Sequence, residues 1–559
     1  MSLPGPTIRE TSVVTVTGGP RFDQPSERTL GNVLRKQALH RPETRFVVAE
    51  GVSWTFADVD QRADGLARGL ADLGVAPGDT VAIYSGNRAD LVPLVFAINR
   101  VGAVWVPINT DEHGSWLRRT LQDSRATVVV VDSAVVGRVA EVMHGLPVAH
   151  VVLIGESDAP TNLDEVPEGV ALHFLDALAS SSTRLPEVDV TYGDTSAVLW
   201  TSGTTGRPKG VMQSHNAWIR AALTGAASAQ TTDDDVLYCC LPMCNSAAWI
   251  GVVFRSLVAG VPFGLDAGFS VSSFWDRTRH FGATQAFTLG AMHLFLWQAA
   301  ERADDADNPV RAMGAIPMPD PVLEPFKERF GIELIQQGYG QSEIMGLISR
   351  VDGSGRHWNP GSVGLALPGI DVRLFDDEDR EVARGEVGEF CVRPVEPYVL
   401  FNGYFGDPEA TLAAQRNLWY HTGDLGRLDD DAQFHFVDRK RDLIRHKGRS
   451  VSSMAVEQAV RAHPDVREVA AFGIVTAELA SEGEIMVVVV AEAGVQIDPA
   501  QLARFVNDNA PHYLVPRYID FVDELPHTPT GKIQKFDLRD RGVTATTWDR
   551  QRSAFVLER

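Results

Sequence analysis

Lysine is scarce in this 559-residue chain. Only seven of its 51 basic residues are lysine: Lys36, Lys209, Lys327, Lys440, Lys447, Lys532 and Lys535. The rest are arginine, so each retained ammonium, compact and carried on a flexible stem, invites a chemical question that a planar guanidinium does not. Cysteine is scarcer still. Cys239, Cys240, Cys244 and Cys391 form no CxxC pair and have no His-rich tract beside them, which argues against a zinc site and fits a reduced compartment. Positive charge is short overall, since 73 acidic residues leave a net charge of -22. That balance disfavours non-specific binding to nucleic acid or to an anionic membrane. Long apolar runs are missing too, and no segment approaches the length that crosses a bilayer. The opening MSLPGPTIRETSVV lacks the basic and apolar regions of a signal peptide, and the closing FVLER carries no peroxisomal or prenylation signal. The expected location is the cytoplasm.

The composition is 44% hydrophobic and 22% charged, that of a globular protein long enough for several cores. Its acidity has one chemical consequence. A polyanionic substrate must be held by local donors, against the overall field.

Apolar periodicity alternates between helix and strand from about residue 54 to 151. TFADVDQRADGLARGLADLG reads as an amphipathic helix closed by Gly74, followed by the buried strand TVAIYSG. LVPLVFAINRVGAVWVPIN gives helix, glycine and strand, and RATVVVVD gives a further strand. Such alternation predicts βαβ units and a mostly parallel sheet. From about 236 to 345 the theme recurs, with DVLYCCLPM and a long apolar helix ending at Gly260. After about 360 the short runs DVRLFD, GEFCVRP and QFHFVDR predict antiparallel strands of a small barrel or sheet. Beyond Arg441 comes a compact pattern: helix MAVEQAVRAHP, strands REVAAFGIV and EIMVVVVAE, helix PAQLARFVNDN. The charged run DRKRD at 438–442 marks the expected boundary, or else a solvated hairpin tip.

Four motifs carry chemistry. In TSGTTGRPKGV, Thr201 to Gly206 follow an apolar strand, and glycines with hydroxyls and successive N–H groups make a nest for phosphate, to which Lys209 adds a mobile cation. This is no Walker loop, because Arg207 follows Gly206. YGQSE at 339–343 pairs a hydroxyl with a carboxylate, both hard oxygen ligands suited to magnesium. WYHTGDLGRLD places Asp424 in a Gly-flanked turn. TPTGKIQK carries Lys532, and five of the seven lysines fall in these runs, in FVDRKRD or in KGRSVS.

Taken in order, these motifs resemble those of the adenylate-forming superfamily of acyl-CoA ligases, luciferases and carrier-protein adenylation domains. The likeness extends from about residue 30 to 540, and crotonobetaine/carnitine-type CoA ligases look nearest in texture. The resemblance implies an α/β fold. Its large N-terminal domain (1–440) would hold parallel-sheet subdomains plus a barrel-like part, and a small mobile α+β lid (441–559) would turn at the hinge residue Arg441. It implies that Thr201, Ser202, Gly203, Thr204, Thr205, Lys209, Gly314, Ala315, Tyr339, Gly340, Gln341, Ser342, Asp424, Arg439 and Lys532 bind nucleotide. Tyr339 would stack on adenine, Ser342 contact the α-phosphate, Asp424 hold the ribose, Arg439 contact the ribose or a phosphate, and Glu343 bind Mg²⁺. Lys532, with Thr201 and Glu343, would serve catalysis of adenylation, since a positioned ammonium stabilises charge developing on phosphate oxygens.

For the acid and its acceptor the resemblance implies a pocket at Asn245, Ala248, Trp249, Gly290 and Gly338, with Lys447 and Gly448 on the face that the lid presents second. Trp249 either shortens this pocket or is simply packed in the core. Two departures fall here. Asn245 stands where the family's Pro-x-Phe-His element has histidine, and Ser450 and Ala455 stand where relatives often have Asn and Glu. The implied partners are ATP, Mg²⁺, a small acid and CoA, with no nucleic acid or membrane insertion and a homodimer among the assemblies allowed. A carrier-protein thiol or an amine remains open as the acceptor, including the case of an ATP-dependent diazotase that activates nitrite for an arylamine. A non-catalytic nucleotide binder is the third reading, and intact Lys209, Glu343, Asp424 and Lys532 speak against it.

Overall fold

The structure is a computed structural model that describes residues 19–155, 166–179, 185, 188–201, 208–446, 449–475, 483–527, 533–553 and 555. It divides into two compact units. The first holds residues 1–372, 392–420 and 431–434, and the second holds 373–391, 421–430 and 435–559.

In the first unit, a seven-stranded sheet runs in the order Ala171–Phe174, His150–Ile154, Val128–Asp132, Thr80–Tyr84, Val104–Ile108, Thr195–Thr201, Lys209–Ser214. Its central strands are near-continuous Val and Ile runs because helices cover both faces, and parallel pairing follows from the helical crossovers. Helix Phe56–Asp72 begins at a capping box, with the Thr55 side chain and Asp58 each satisfying the other's backbone, and ends before Gly74 at φ +85°. The last pair of strands departs from the parallel pattern: Thr195–Thr201 and Lys209–Ser214 are antiparallel, with Thr201 opposite Lys209.

A larger sheet crosses the same unit. Its strands Phe263–Leu265, Leu237–Cys239, Gln285–Leu289, Ala312–Ile316 and Leu334–Tyr339 lie side by side and parallel, and Ile348–Asp352 then pairs antiparallel. Parallel α/β sheets bind ligands beyond the carboxyl ends of their strands. Three of the segments singled out from sequence, at Gly290, Gly314–Pro317 and Gly338–Glu343, fall at such ends on neighbouring strands.

The long apolar helix expected up to Gly260 is not uniform. It consists of an α turn at Ser246–Ala248, a π-helical stretch at Trp249–Val253 and an α segment at Phe254–Ala259, which Gly260 closes at φ +70°. Periodicity cannot reveal one inserted residue, and such wide turns recur at functional sites.

The second unit contains Val466–Val475, Gly483–Ala491, Tyr518–Phe521 and Trp548–Asp549 in that order, with helices Ser453–Arg461 and Pro499–Asn509. Ser452 and Asp498 cap these helices, and Pro499 occupies the first helical position, where its missing N–H costs nothing. Val469, Ala471, Val487 and Val489 fill the core under the helices, while Ala470, Phe472, Met486 and Val488 fill the opposite face. The charged run 438–442 is not a freely solvated tip. Asp438 is buried and accepts the N–H of Ser453 at 2.5 Å, and Asp442 is buried 3.3 Å from Arg539.

A polar knot ties the parallel strands of the first unit. Buried Asp235 accepts from Arg311, from Thr284 Oγ1 at 2.6 Å and from Gln285 Nε2 at 2.8 Å. Burial alone would raise its carboxyl, but the Arg311, Thr284 and Thr232 bonds outweigh burial and hold it below the ordinary 3.8. A depressed folded-state value gives stability that is present above the ordinary carboxylate range and lost as pH falls through the folded value. Asp235→Asn should therefore cost on the order of 2 kcal/mol at neutral pH. Denaturant titrations of the two proteins should converge as the pH drops below the carboxylate range; a pH-independent gap would refute this account of the aspartate.

Candidate active site

The end of the first unit that carries the Thr- and Gly-rich motif is built on the hairpin of Thr195–Thr201 and Lys209–Ser214. Ser202, Gly203, Thr204 and Thr205 lie outside the described residues. Thr201 Oγ1 donates to Lys209 O at 3.3 Å, which fastens the base of the loop. Along its other edge, Lys209–Ser214 pairs with the segment 402–405. Phe405 N–H donates to Gly210 O at 2.7 Å, Met212 N–H to Gly403 O at 3.0 Å and Asn402 N–H to Met212 O at 2.8 Å. Tyr404 thereby lies under Lys209, whose Nζ is 4.7 Å from the ring centre. The same tyrosine donates its hydroxyl to Glu343 Oε1 at 3.0 Å.

The YGQSE run leaves strand Leu334–Tyr339 as a turn. Ile344 N–H donates to Gln341 O at 3.0 Å, and Met345 takes φ +64° rather than starting a helix. Several cross-chain bonds fix this turn. Gln213 donates to Ser342 O, Phe401 N–H to Glu343 O at 2.8 Å, and Tyr420 to Gln341 Oε1 at 2.9 Å. The structure thus brings together Thr201, Lys209, Gln341, Ser342 and Glu343. A carboxylate next to an ammonium-bearing strand is the donor set that a magnesium–phosphate ligand needs, so these residues fit a magnesium ion.

Of the two roles expected for Trp249, the structure favours the second. The residue is 1% exposed, its indole N–H donates to Met243 O at 2.7 Å, and its ring packs on Trp105 at 4.9 Å and Phe254 at 5.2 Å. Core packing is its role, as an indole with a satisfied N–H among aromatic neighbours implies. Ala248 is buried as well, while Asn245 is half-buried at the start of that helix. Gly290 is exposed at φ +60°, a backbone region that favours glycine. Gly314 admits no side chain, because a Cβ there would meet the Phe287 ring at 2.4 Å. Gly338 is likewise blocked by Ile348 O at 2.4 Å. Ala315 is buried beneath the strand end.

Three side chains here escaped the sequence reading. Tyr404 is one. Phe287 is another, its ring filling the space left by Gly314 and by Gly251 of the π-helical turn. The third is Asn87, which donates to Leu241 O and Asp266 O, both at 2.9 Å, and accepts from Met243 N–H at 2.7 Å. Asn87 and Trp249 together hold both backbone groups of Met243, two residues before Asn245. Only the strand-end position of Asn87, just past Thr80–Tyr84, hinted at a role.

Asp424 and Arg439 belong to the second unit. Asp424 lies within strand Tyr420–Leu428, not in a turn as its glycine neighbours suggested. Gly423 takes φ +73° inside the strand and still accepts Lys440 N–H at 2.8 Å, so the glycine bends the strand without ending it. Asp424 is 7% exposed, and its Oδ1 sits 4.0 Å from Arg439 Nε. Arg441 is exposed, with Nε 3.9 Å from Asp442. Lys447, Gly448 and Lys532 lie outside the described residues.

Two of the scarce lysines prove structural. Lys535 Nζ contacts Glu457 at 2.7 Å and donates to Ser453 Oγ at 2.8 Å. Lys440 Nζ lies 2.9 Å from both Glu389 and Asp377. Glu389 also belongs to a buried group with Cys391 and His421, whose ligand-type atoms lie within 4.8 Å of one another. Burial would raise the Glu389 carboxyl, but the bond and charge of Lys440, with the Gly423 and His421 bonds, together outweigh it and leave the group below its ordinary value. The carboxylate is thus matched by an ammonium, and Cys391 Sγ has His421 Nδ1 as its partner at 3.2 Å.

Comparison with known proteins adds three findings. A family profile described as AMP-binding enzyme matches residues 34–405, and one described as AMP-binding enzyme C-terminal domain matches 455–532. A crotonobetaine/carnitine–CoA ligase of Salmonella heidelberg (strain SL476) is 30% identical, over 88% of this chain and 95% of the relative. Among solved structures, ATP-bound MatB from Rhodopseudomonas palustris superposes with TM-score 0.79 at 26% identity, covering 91% of this chain and 98% of that one. The anthranilate CoA ligase AuaEII with anthranoyl-AMP superposes with TM-score 0.81 at 24% identity, over 93% and 98%, a likeness of fold.

Asn87→Ala removes the partner of three backbone groups. It should lower stability by about 2 kcal/mol, the penalty for orphaned buried polar groups. A denaturant midpoint equal to that of the unaltered protein would show that Asn87 is not a clamp.

Proposed function

The chain belongs to the AMP-binding enzyme family, the ATP-dependent, AMP-forming ligases, and on that premise we propose that it is an acid:CoA ligase of the cytoplasm. The observation that carries the reading is the convergence of Lys209, Ser342 and Glu343 at one end of the first unit, held by the bonds from Gln213, Phe401 and Tyr404. A carboxylate oxygen of the acid attacks the α-phosphorus of ATP, the new O–P bond forms, and the bond to pyrophosphate breaks. A thiol then attacks the acyl carbon, loses its proton to solvent, and AMP departs.

In this reading the loop Thr201–Thr205 and Lys209 hold the phosphates, with Ser342 at the α-phosphate. Tyr339 and the backbone of Gly314, Ala315, Gly340 and Gln341 line the adenine, and Asp424 with Arg439 takes the ribose. A magnesium ion would be held by Glu343 and the nucleotide's own phosphates, where it neutralises phosphate charge. Lys532 stabilises the adenylation transition state. The lid, 441–559, turns at Arg441, inside the second compact unit, and presents Lys447 and Gly448 for thioester formation.

One observation keeps a second reading alive. Asn245, directly after the turn pinned by Asn87 and Trp249, has an uncharged amide where the family carries a histidine able to become cationic. A different acceptor, a carrier-protein thiol or an amine, or nitrite as the activated acid, fits that change. A pyrophosphate-release screen over carboxylic acids and nitrite, each with CoA, an arylamine or neither, separates the readings. CoA-dependent thioester formation with a carboxylic acid is expected; release only with nitrite and an arylamine would replace the CoA assignment with a diazotase.

Lys532→Ala should slow adenylate formation by about 10²-fold, as loss of one charge-stabilising donor does. It should leave conversion of supplied acyl-AMP to thioester intact. Equal loss in both half-reactions would assign the lysine to folding or substrate binding. Asn245→His should preserve CoA-dependent AMP release if the acid is an ordinary carboxylate, and an abolished adenylation would show a pocket shaped for something else.

A further inference from the structure

The segment Phe401–Phe405 (FNGYF) has no catalytic residue type beyond one tyrosine, yet it lies between the two charged parts of the nucleotide site. Its backbone pairs with Lys209–Ser214 through Asn402, Gly403 and Phe405, and Phe401 N–H donates to Glu343 O. Tyr404 is 6% exposed and packs its ring against Phe401 at 5.0 Å, while Phe401 packs against Tyr420 at 5.2 Å. A ring fixed from below in this way has two functional ends. Its face carries the Lys209 ammonium at 4.7 Å, and its hydroxyl carries Glu343 Oε1 at 3.0 Å.

Opposite charges this close to a shared residue tend to collapse into an ion pair, which a magnesium nucleotide would then have to break. Placing an aromatic residue between them gives each a different partner: a quadrupole for the cation and an O–H donor for the carboxylate.

We infer that Tyr404 is a positioning residue for magnesium and nucleotide, its hydroxyl orienting Glu343 toward the metal and its ring holding Lys209 ready for the phosphates. The inference rests on the nucleotide roles proposed for those two residues. Partners of this kind, one bond removed from the metal ligand, tune metal affinity by about 10-fold or more when removed.

The test is binding of ATP to the full chain, measured by calorimetry at stepped Mg²⁺ concentrations without acid or acceptor. Tyr404→Phe keeps the ring and loses the hydroxyl. It should raise the Mg²⁺ concentration for half-maximal ATP binding about 10-fold, with ATP affinity at saturating Mg²⁺ unchanged. Tyr404→Leu removes the ring as well and should weaken ATP binding at saturating Mg²⁺ by a further few-fold, about what an exposed cation–π contact is worth. In a Glu343→Ala background the hydroxyl deletion should add nothing, because it acts through that carboxylate. A Tyr404→Phe protein with an unchanged Mg²⁺ requirement overturns the inference, whether or not its melting temperature falls, because a purely packing role moves only the latter. An additive effect in the Glu343→Ala background overturns it too. Failure of the unaltered protein to bind ATP at any Mg²⁺ concentration would overturn the nucleotide site itself and this inference with it.

Discussion

The strand Lys209–Ser214 is the constraint on which the end of the first unit around Lys209 and Glu343 depends. It is paired on one side with Thr195–Thr201 and on the other with residues 402–405. The first pairing sets Thr201 opposite Lys209. The second delivers Tyr404 beneath the lysine and, through Phe401, ties the YGQSE turn. For a chain of net charge -22 this arrangement answers a real difficulty. The global field opposes a polyanion, so affinity must come from a few donors whose positions are fixed before the ligand arrives, and backbone pairing fixes them more firmly than side-chain contacts alone.

Much of this was legible in the sequence. Continuous Val and Ile strands between amphipathic helices announce a parallel sheet, and glycines at 74 and 260 mark helix ends that the structure places there. The resemblance implies one site for Lys209 and Glu343, and in the structure both contact Tyr404. What stayed hidden depends on contacts between distant segments. Nothing in FNGYF announces that its tyrosine lies between those two residues, and nothing in QAFTLG says that Phe287 fills the place of a side chain at Gly314. Asp424 misled for a local reason: flanking glycines suggest a turn, yet a strand can absorb one positive φ when its neighbour still donates a hydrogen bond.

Lysine scarcity proved a partial guide. Lys209 lies at the site, but Lys440 and Lys535 hold buried or half-buried carboxylates. Both anchor elements of the second unit: Lys440 fastens the strands around Glu389, and Lys535 fastens helix Ser453–Arg461. Trp249 is a similar case: in a stretch expected to line a pocket, its ring packs in the core and its N–H donates to Met243 O.

Formation of an acyl-adenylate is the central claim, and the fate of the acid's oxygen tests it most directly. The acid selected by pyrophosphate release is prepared with heavy oxygen in its carboxylate and turned over with ATP, Mg²⁺ and CoA. Mass spectrometry of the nucleotide product should find one heavy oxygen in AMP, carried across when the adenylate is cleaved. Unlabelled AMP, or ADP in its place, would contradict the account.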